Sequence, residues 1–286
     1  MMKLIDGKKI AEKIKNKIAA EVFTFGERRP NLAIILAGDR EDSKLYVSLK
    51  EREAKKVGID THVYKLNDYD SEQTLLDLIG FLNNDELVDG ILVQLPLPAK
   101  YDTAKVIRAI DPAKDVDGFH PEKPDYIVSP VIASTLKCLE EIKFDLKDKQ
   151  VVLLYNSEVF GDSMTEALNV FMPSLIKISL KDFSTLDISD KAKKVAEITA
   201  VTKKADVIIS ALGLPGFVIA DMLKPEAVLI DIGISKIEEK VFGDVDADGV
   251  KDVAGFLTPV PGGIGPMTIA MLFKNVLEIH KRRYGI

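Results

Sequence analysis

The 286-residue chain carries 39 basic and 45 acidic side chains, a net charge of −6, with 47% hydrophobic and 29% charged residues. This balance describes a globular protein with core enough for one large or two ordinary domains, and it argues against a nucleic-acid backbone as main partner. One cysteine, Cys138, excludes an internal disulfide framework and fits a reducing, cytoplasmic compartment; no apolar run is long enough for a signal peptide or a membrane span.

In chain order, "LAIILAG" (32–38), "THVYKL" (61–66) and "VDGILVQLPLP" (88–98) read as strands. Helical patterns at 43–57 and 71–83 separate them, and a loop rich in Asp and Pro follows at 111–130. A helix at 131–142 resumes the pattern, with Cys138 among Leu136, Leu139 and Ile142 as a core position. "QVVLL" (150–154), "LIKISL" (175–180), "ADVIISALG" (205–213) and "AVLIDIGI" (227–234) are apolar enough for strands buried on both faces. Helical patterns at 163–171, 189–203 and 266–283 complete the chain. Strands alternating with helices predict an α/β protein with parallel sheets, divided into two units by the 111–130 loop.

Four stretches carry candidate chemistry. In "SKLYVSLKEREAKKVGI" (43–59), Tyr46 and Lys50 are four apart and share a helical face with Ala54 and Val57. A lysine on such a stripe either snorkels to water or is placed for a task, whereas Lys44, Lys55 and Lys56 are free to point outward. Gln94 lies at the carboxyl end of a strand, the rim at which open α/β sheets bind ligands. In "PAKDVDGFHP" (112–121), Asp115 and Asp117 flank Val116 before Gly118, a pattern that Asx turns alone also explain. "TPVPGGIGPMT" (258–268) permits close backbone approach, with Pro266 suited to opening the terminal helix. "DVDADG" (244–249) resembles the start of a calcium loop, but the twelfth position is Gly255 rather than a bidentate Glu, and His62, His120 and His280 lack metal-ligand spacing. No metal is expected.

Taken together and in this order, "SKLYVSLK", "DGILVQLPLP", "KDVDGFHP", "ADVIISALGLP", "AVLIDIGI", "GDVD" and "TPVPGGIGPMT" resemble the bifunctional methylenetetrahydrofolate dehydrogenase/methenyltetrahydrofolate cyclohydrolase family along nearly the whole chain. The resemblance implies two Rossmann-like parallel-sheet domains with a cleft between them and a C-terminal helix packing back on the N-terminal domain. The expected folate-binding catalytic domain spans 1–120 and 262–286, the dinucleotide-binding domain 121–261, and the assembly is a homodimer. It implies oxidation of methylenetetrahydrofolate with NADP, then hydrolysis of the methenyl cation to formyltetrahydrofolate.

The resemblance puts Tyr46, Lys50, Gln94 and Asp117 on the catalytic folate site. Lys50 would move protons in the hydrolysis, Gln94 would orient it, Tyr46 would pack on the folate rings and Asp117 would accept from the pterin. Pro261, Gly262 and Gly263 would wall the substrate pocket. On the cofactor side it implies contacts from Asn156, Ser157, Gly161, Lys181 and Ile234. Here the chain departs from the family. The glycine and arginine of the family's G-R-S-x-x-V-G-x-P are Tyr155 and Asn156, and its upstream P-C-T-P-x-G keeps only Pro130. Losing the arginine should weaken the preference for NADP and leave NAD as an alternative. Tyr155, Glu158 and Asp162 should oppose a pyrophosphate, with Lys181 supplying a replacement cation. Two other readings stay open at this point: a cyclohydrolase with weak or lost dehydrogenase activity, and a non-catalytic folate-binding relative.

Overall fold

The structure, a computed structural model, describes residues 2–169 and 174–286. It divides into two compact units: Met1–Ile10 with Val131–Met267, called the first unit, and Ala11–Pro130 with Thr268–Ile286, the second. The chain opens with β1 (Lys3–Leu4) and α1 (Gly7–Phe23). Then follow β2 (Asn31–Ala37), α2 (Glu41–Val57), β3 (Asp60–Leu66), α3 (Glu72–Asn84), β4 (Gly90–Val93) and α4 (Thr103–Ala109). The next elements are α5 (Pro130–Glu141), β5 (Val151–Tyr155), α6 (Glu158–Asn169), β6 (Leu175–Ser179) and α7 (Ile188–Thr202). Strands β7 (Val207–Ala211), β8 (Val228–Asp231), β9 (Ser235–Ile237), β10 (Lys240–Phe242) and β11 (Phe256–Leu257) precede α8 (Ile264–Tyr284).

The second unit is built on a parallel sheet in the order β3-β2-β4. The unbroken apolar run of β2 explains its central place, because both of its faces are covered. Leu32, Ile34 and Leu36 meet Ile18 and Val22 of α1, Val47, Ala54 and Val57 of α2, and Leu272, Phe273 and Val276 of α8. Ala33, Ile35 and Ala37 meet Leu75, Ile79 and Leu82 of α3 and Val106 of α4 on the other face. The C-terminal helix is thus one wall of this core. A buried ion pair, Lys15 Nζ to Glu53 Oε2 at 2.5 Å, ties α1 to α2. Helix α2 stops where Gly58, at φ 79°, takes the left-handed conformation that closes a helix end.

The first unit carries six strands in the order β1-β11-β8-β7-β5-β6, every pair parallel. From β5 the chain steps out to β6 and then crosses to β7 on the other side. The carboxyl ends of β5 and β7 therefore form the topological switch point, where α/β sheets bind ligands. Strands β9 and β10 stand apart as an antiparallel hairpin.

Several boundaries differ from the sequence expectation. The expected 1–120 segment gives up its first ten residues to the first unit, because β1 pairs in parallel with β11 (Lys3↔Phe256). The later crossings also move, to 130/131 and 267/268. The helix expected at 163–171 begins at Glu158, since Gly161 N already bonds Ser157 O at 2.8 Å; the expected residues 170–171 lie outside the described residues. Helix α8 opens at Ile264, two residues before Pro266, which falls in the first turn, where a missing N–H costs nothing. Helices α1 and α4 lie outside every predicted element. Of the histidines, His280 is buried and donates from Nδ1 to Asp89 Oδ2 at 2.8 Å, while His62 sits on β3. Among the described residues no helix is long and apolar enough to cross a membrane, and no cluster of side chains could hold a metal ion.

Candidate active site

In the second unit, Lys50 is half-buried on α2, one turn from Val47 on one side and Ala54 on the other. Its Nζ donates to Gln94 Oε1 at 2.9 Å. Gln94 is 8% exposed, follows β4 directly, and donates its own Nε2 to Leu95 O at 2.6 Å, so its carbonyl cannot swing away from the amine. Burial lowers the pKa of Lys50, and the nearby charge of Asp117 opposes that shift only in part. Tyr46, 40% exposed, lies one turn before Lys50 on α2.

The Asp115–Asp117 segment reaches this cluster through backbone pairing. Ile91 N bonds Lys114 O at 2.8 Å, and Ile91 forms a parallel bridge with Asp115, so the loop runs beside β4. Asp115 is buried and serves its own turn: Oδ1 accepts from Asp117 N and Gly118 N, and Oδ2 from His120 N at 2.7 Å. No group among the described residues hydrogen-bonds the Asp117 carboxyl. Burial pushes it up to about 6, with Lys50 pulling it down and Asp115 pushing it further up. The two aspartates thus divide as scaffold and free acceptor. Asn275, buried on α8, is a residue the sequence reading missed; its amide donates to Val116 O at 2.8 Å and Val128 O at 2.9 Å, clamping this loop. An amide between Phe273 and Val276 on an apolar helix face was the signal for it. His120 is taken up locally: Nδ1 accepts from Glu122 N at 3.0 Å, which leaves the proton on Nε2, 3.4 Å from Arg108 O.

A cavity of about 400 Å³ lined by Asp89, Asp111, Lys114, Arg282 and Arg283 adjoins the amino end of β4 and contains none of the expected site residues. The Lys50–Gln94 pair lies at the other end of that strand.

In the first unit, Pro261, Gly262 and Gly263 form the turn before α8, and Gly262 O accepts from Lys8 N at 3.1 Å. Cys138 is fully buried, its Sγ 3.5 Å from Met267 Sδ, and burial pushes the thiol up to about 12. It is a core residue.

At the switch point, Asn156 donates its Nδ2 to Leu212 O, stitching the β5–α6 turn to the loop after β7. Asp244 shapes that loop: it accepts from Ser210 Oγ at 2.8 Å, Leu212 N at 2.7 Å and Leu214 N at 2.8 Å. The first position of the calcium-like string is therefore turned into the protein and occupied. Asp231 holds the next loop by accepting from Gly233, Asp244 and Val245 N–H groups, and burial pushes its carboxyl up to about 7. Ser157 and Lys181 are exposed, and Ile234 is 47% exposed after β8.

Tyr155 does not stand where the expectation put it. Its side chain is 3% exposed and its ring packs on Gly161, where a Cβ would come within 2.4 Å of the ring carbons. Gly161 thus takes up the aromatic ring beneath α6, so the tyrosine is removed from the open face of the turn rather than obstructing it.

A sequence model described as "Tetrahydrofolate dehydrogenase/cyclohydrolase, catalytic domain" matches residues 5–117, and one described as the "NAD(P)-binding domain" of the same enzymes matches residues 130–284. Bifunctional protein FolD of Sulfurihydrogenibium sp. is 42% identical over 294 residues, covering 99% of each chain. The crystal structure of the bifunctional FolD methylenetetrahydrofolate dehydrogenase/cyclohydrolase of Campylobacter jejuni is similar at a TM-score of 0.90 and 34% identity, over 99% of this chain and 100% of that one. The Trypanosoma brucei FolD enzyme, solved with NADP and an inhibitor, gives a TM-score of 0.90 at 28% identity, over 100% of this chain and 99% of that one.

Proposed function

The chain belongs to the tetrahydrofolate dehydrogenase/cyclohydrolase family, and from that membership we propose how its own side chains carry the family's chemistry. The enzyme interconverts one-carbon folates: it oxidises methylenetetrahydrofolate to methenyltetrahydrofolate and hydrolyses that cation to formyltetrahydrofolate. NADP is its cofactor and supplies the hydride acceptor.

Lys50 is the proton carrier of the hydrolysis. Burial lowers the pKa of the amine and so favours its neutral form, which takes a proton from water as the water oxygen bonds to the methenyl carbon. That proton then passes to the ring nitrogen as one C–N bond opens, and the adduct's hydroxyl gives up its own proton to solvent as the formyl C=O forms. Gln94 anchors the amine, Asp117 accepts from the pterin N–H edge, and Tyr46 packs on the folate rings. The observation that carries this reading is the Lys50–Gln94 hydrogen bond beside an acceptor, Asp117, left without a partner. The enzyme-dependent rate of methenyltetrahydrofolate hydrolysis, measured without dinucleotide, is expected to rise as the amine deprotonates. A rate with no limb that rises with pH would remove Lys50 from this role.

The first unit suits a dinucleotide. Its switch point opens between two loops that Asn156 ties together, and the opening N–H groups of α6, which no helix satisfies internally, follow Ser157. Ser157 and this turn would hold the pyrophosphate, with Asn156, Lys181 and Ile234 contacting the rest. Gly161 contributes indirectly, by accommodating the Tyr155 ring.

The enzyme works as a homodimer in the cytoplasm on this reading; the buried, reduced Cys138 suits that compartment. Hairpin β9–β10 exposes Ile237, Val241 and Phe242, at 52%, 37% and 40%, and pairs with no third strand among the described residues. An open apolar edge of this kind is normally covered, and a second copy covers it symmetrically. Light scattering is expected to give twice the chain mass for the wild type and a single-chain mass for Phe242→Glu. A monomeric wild type at micromolar concentration would refute the dimer.

A further inference from the structure

The adenosine end of the dinucleotide site holds a carboxylate that the reaction itself does not require. Glu158 lies in the first turn of α6, and both of its oxygens are held. Ser179 Oγ donates to Oε1 at 2.6 Å, and Tyr155 Oη donates to Oε2 at 3.2 Å. Tyr155 and Ser179 are direct partners across β5 and β6, so the carboxylate is fixed over the ends of two neighbouring strands. The helix dipole favours a negative charge at this turn.

In doubly wound dinucleotide sites, the end of the second strand is where the adenosine ribose is read. An acidic side chain there accepts from the free 2′-hydroxyl of NAD, whereas an arginine takes the 2′-phosphate of NADP. Here β6 is that second strand and ends in Ser179, which bears no charge; Glu158 brings the acid to it from the helix. The cations nearby do not offset it. Lys177 Nζ is paired with Asp162 Oδ1 at 2.9 Å, one helical turn beyond Glu158. Asn156, in the arginine's place, has its amide committed to Leu212 O. Lys181 is exposed; its backbone N–H lies 3.4 Å from Ser179 Oγ, and its side chain forms no ion pair among the described residues. A phosphate dianion entering this corner meets an anchored carboxylate and one exposed, unpaired ammonium.

We infer that Glu158 sets the choice of dinucleotide: its fixed carboxylate accepts from the ribose 2′-hydroxyl and repels a 2′-phosphate, so the enzyme binds NAD more tightly than NADP. This rests on the reading that the first unit holds the dinucleotide. NADP remains usable, and NAD becomes the tighter ligand.

Calorimetric titration of the full-length protein with NAD and with NADP reads the preference directly, without turnover. The wild type is expected to favour NAD by about tenfold or more, the scale of one charge-assisted hydrogen bond formed and one repulsion avoided. Glu158→Gln should tighten NADP and loosen NAD, moving the ratio roughly tenfold towards NADP. Ser179→Ala, which frees the carboxylate, should loosen NAD while leaving NADP unchanged or tighter. The repulsion should also fade with added salt, narrowing the wild-type ratio. A wild type that favours NADP, or a ratio unmoved by Glu158→Gln while both ligands bind, overturns the inference alone. Absence of binding by either dinucleotide, in wild type and variants alike, overturns the site reading and the inference with it.

Discussion

Lys50→Met should slow methenyltetrahydrofolate hydrolysis by about 10²–10⁴-fold, the usual worth of a positioned acid–base group. Methionine retains the length and apolar stem that lie beside Val47 and Ala54, and it removes a charge that burial disfavours. Folding should therefore hold, with a melting temperature at or above that of the wild type. Lys50→Arg should fail in hydrolysis too, because a guanidinium keeps its proton at any working pH. The decisive readout is the split between activities. Oxidation of methylenetetrahydrofolate needs no proton carried by Lys50, so each variant should accumulate the methenyl compound, visible by its absorbance, instead of passing it on. Full hydrolytic activity in Lys50→Met, or equal loss of both reactions, would sink the assignment.

Asp117→Asn should weaken folate binding by about ten- to a hundredfold and leave dinucleotide binding unchanged. A hydrogen bond to an ionised acceptor is worth roughly 1.5–3 kcal/mol, and each ~1.4 kcal/mol is tenfold in affinity. Asparagine retains one acceptor oxygen but turns an N–H group towards the pterin's own donors. The pH dependence has a definite sign. The Asp117 carboxyl is raised from 3.8 to about 6 by burial, so in the free enzyme it is protonated below that value and cannot serve as a full acceptor. Folate affinity should fall as pH drops through about 6 in the wild type and lose that limb in the variant. The same shift means that the ionised carboxylate opposes folding above its folded pKa, so the variant should be no less stable at neutral pH. Unchanged folate affinity would mean that Asp117 does not meet the ligand, and an undiminished acid limb would assign the titration to another group.

Much of the architecture was legible in the residues. The runs "LAIILA", "VVLLY" and "VLID" are continuous apolar stretches, and each became an inner strand of a parallel sheet because only a strand covered on both faces needs such a run. Tyr46 and Lys50 fell on one helical face by their spacing alone. The departure of "YNSEVFGDS" from the glycine-rich pattern was equally plain as a string. Its consequence was not. Side-chain direction at the end of β5 depends on what α6 leaves empty, and Gly161 leaves room for the ring of Tyr155, so the bulky residue turned under the helix. Glu158 looked like one more negative charge at a helix start until β6 brought Ser179 to it from 21 residues away. Likewise nothing near Asp117 in the chain distinguishes it from Asp115. Pairing of the loop with β4, the clamp from Asn275 on α8, and the closing of Asp115 on its own turn decided which carboxylate stayed free. Periodicity is a local property, written in residues a few positions apart, and so the sequence by itself determined the inner strands, most of the helices and the family. Which side chains meet is settled by sheet order and by competition for buried hydrogen bonds between distant segments, and only the tertiary structure decided that.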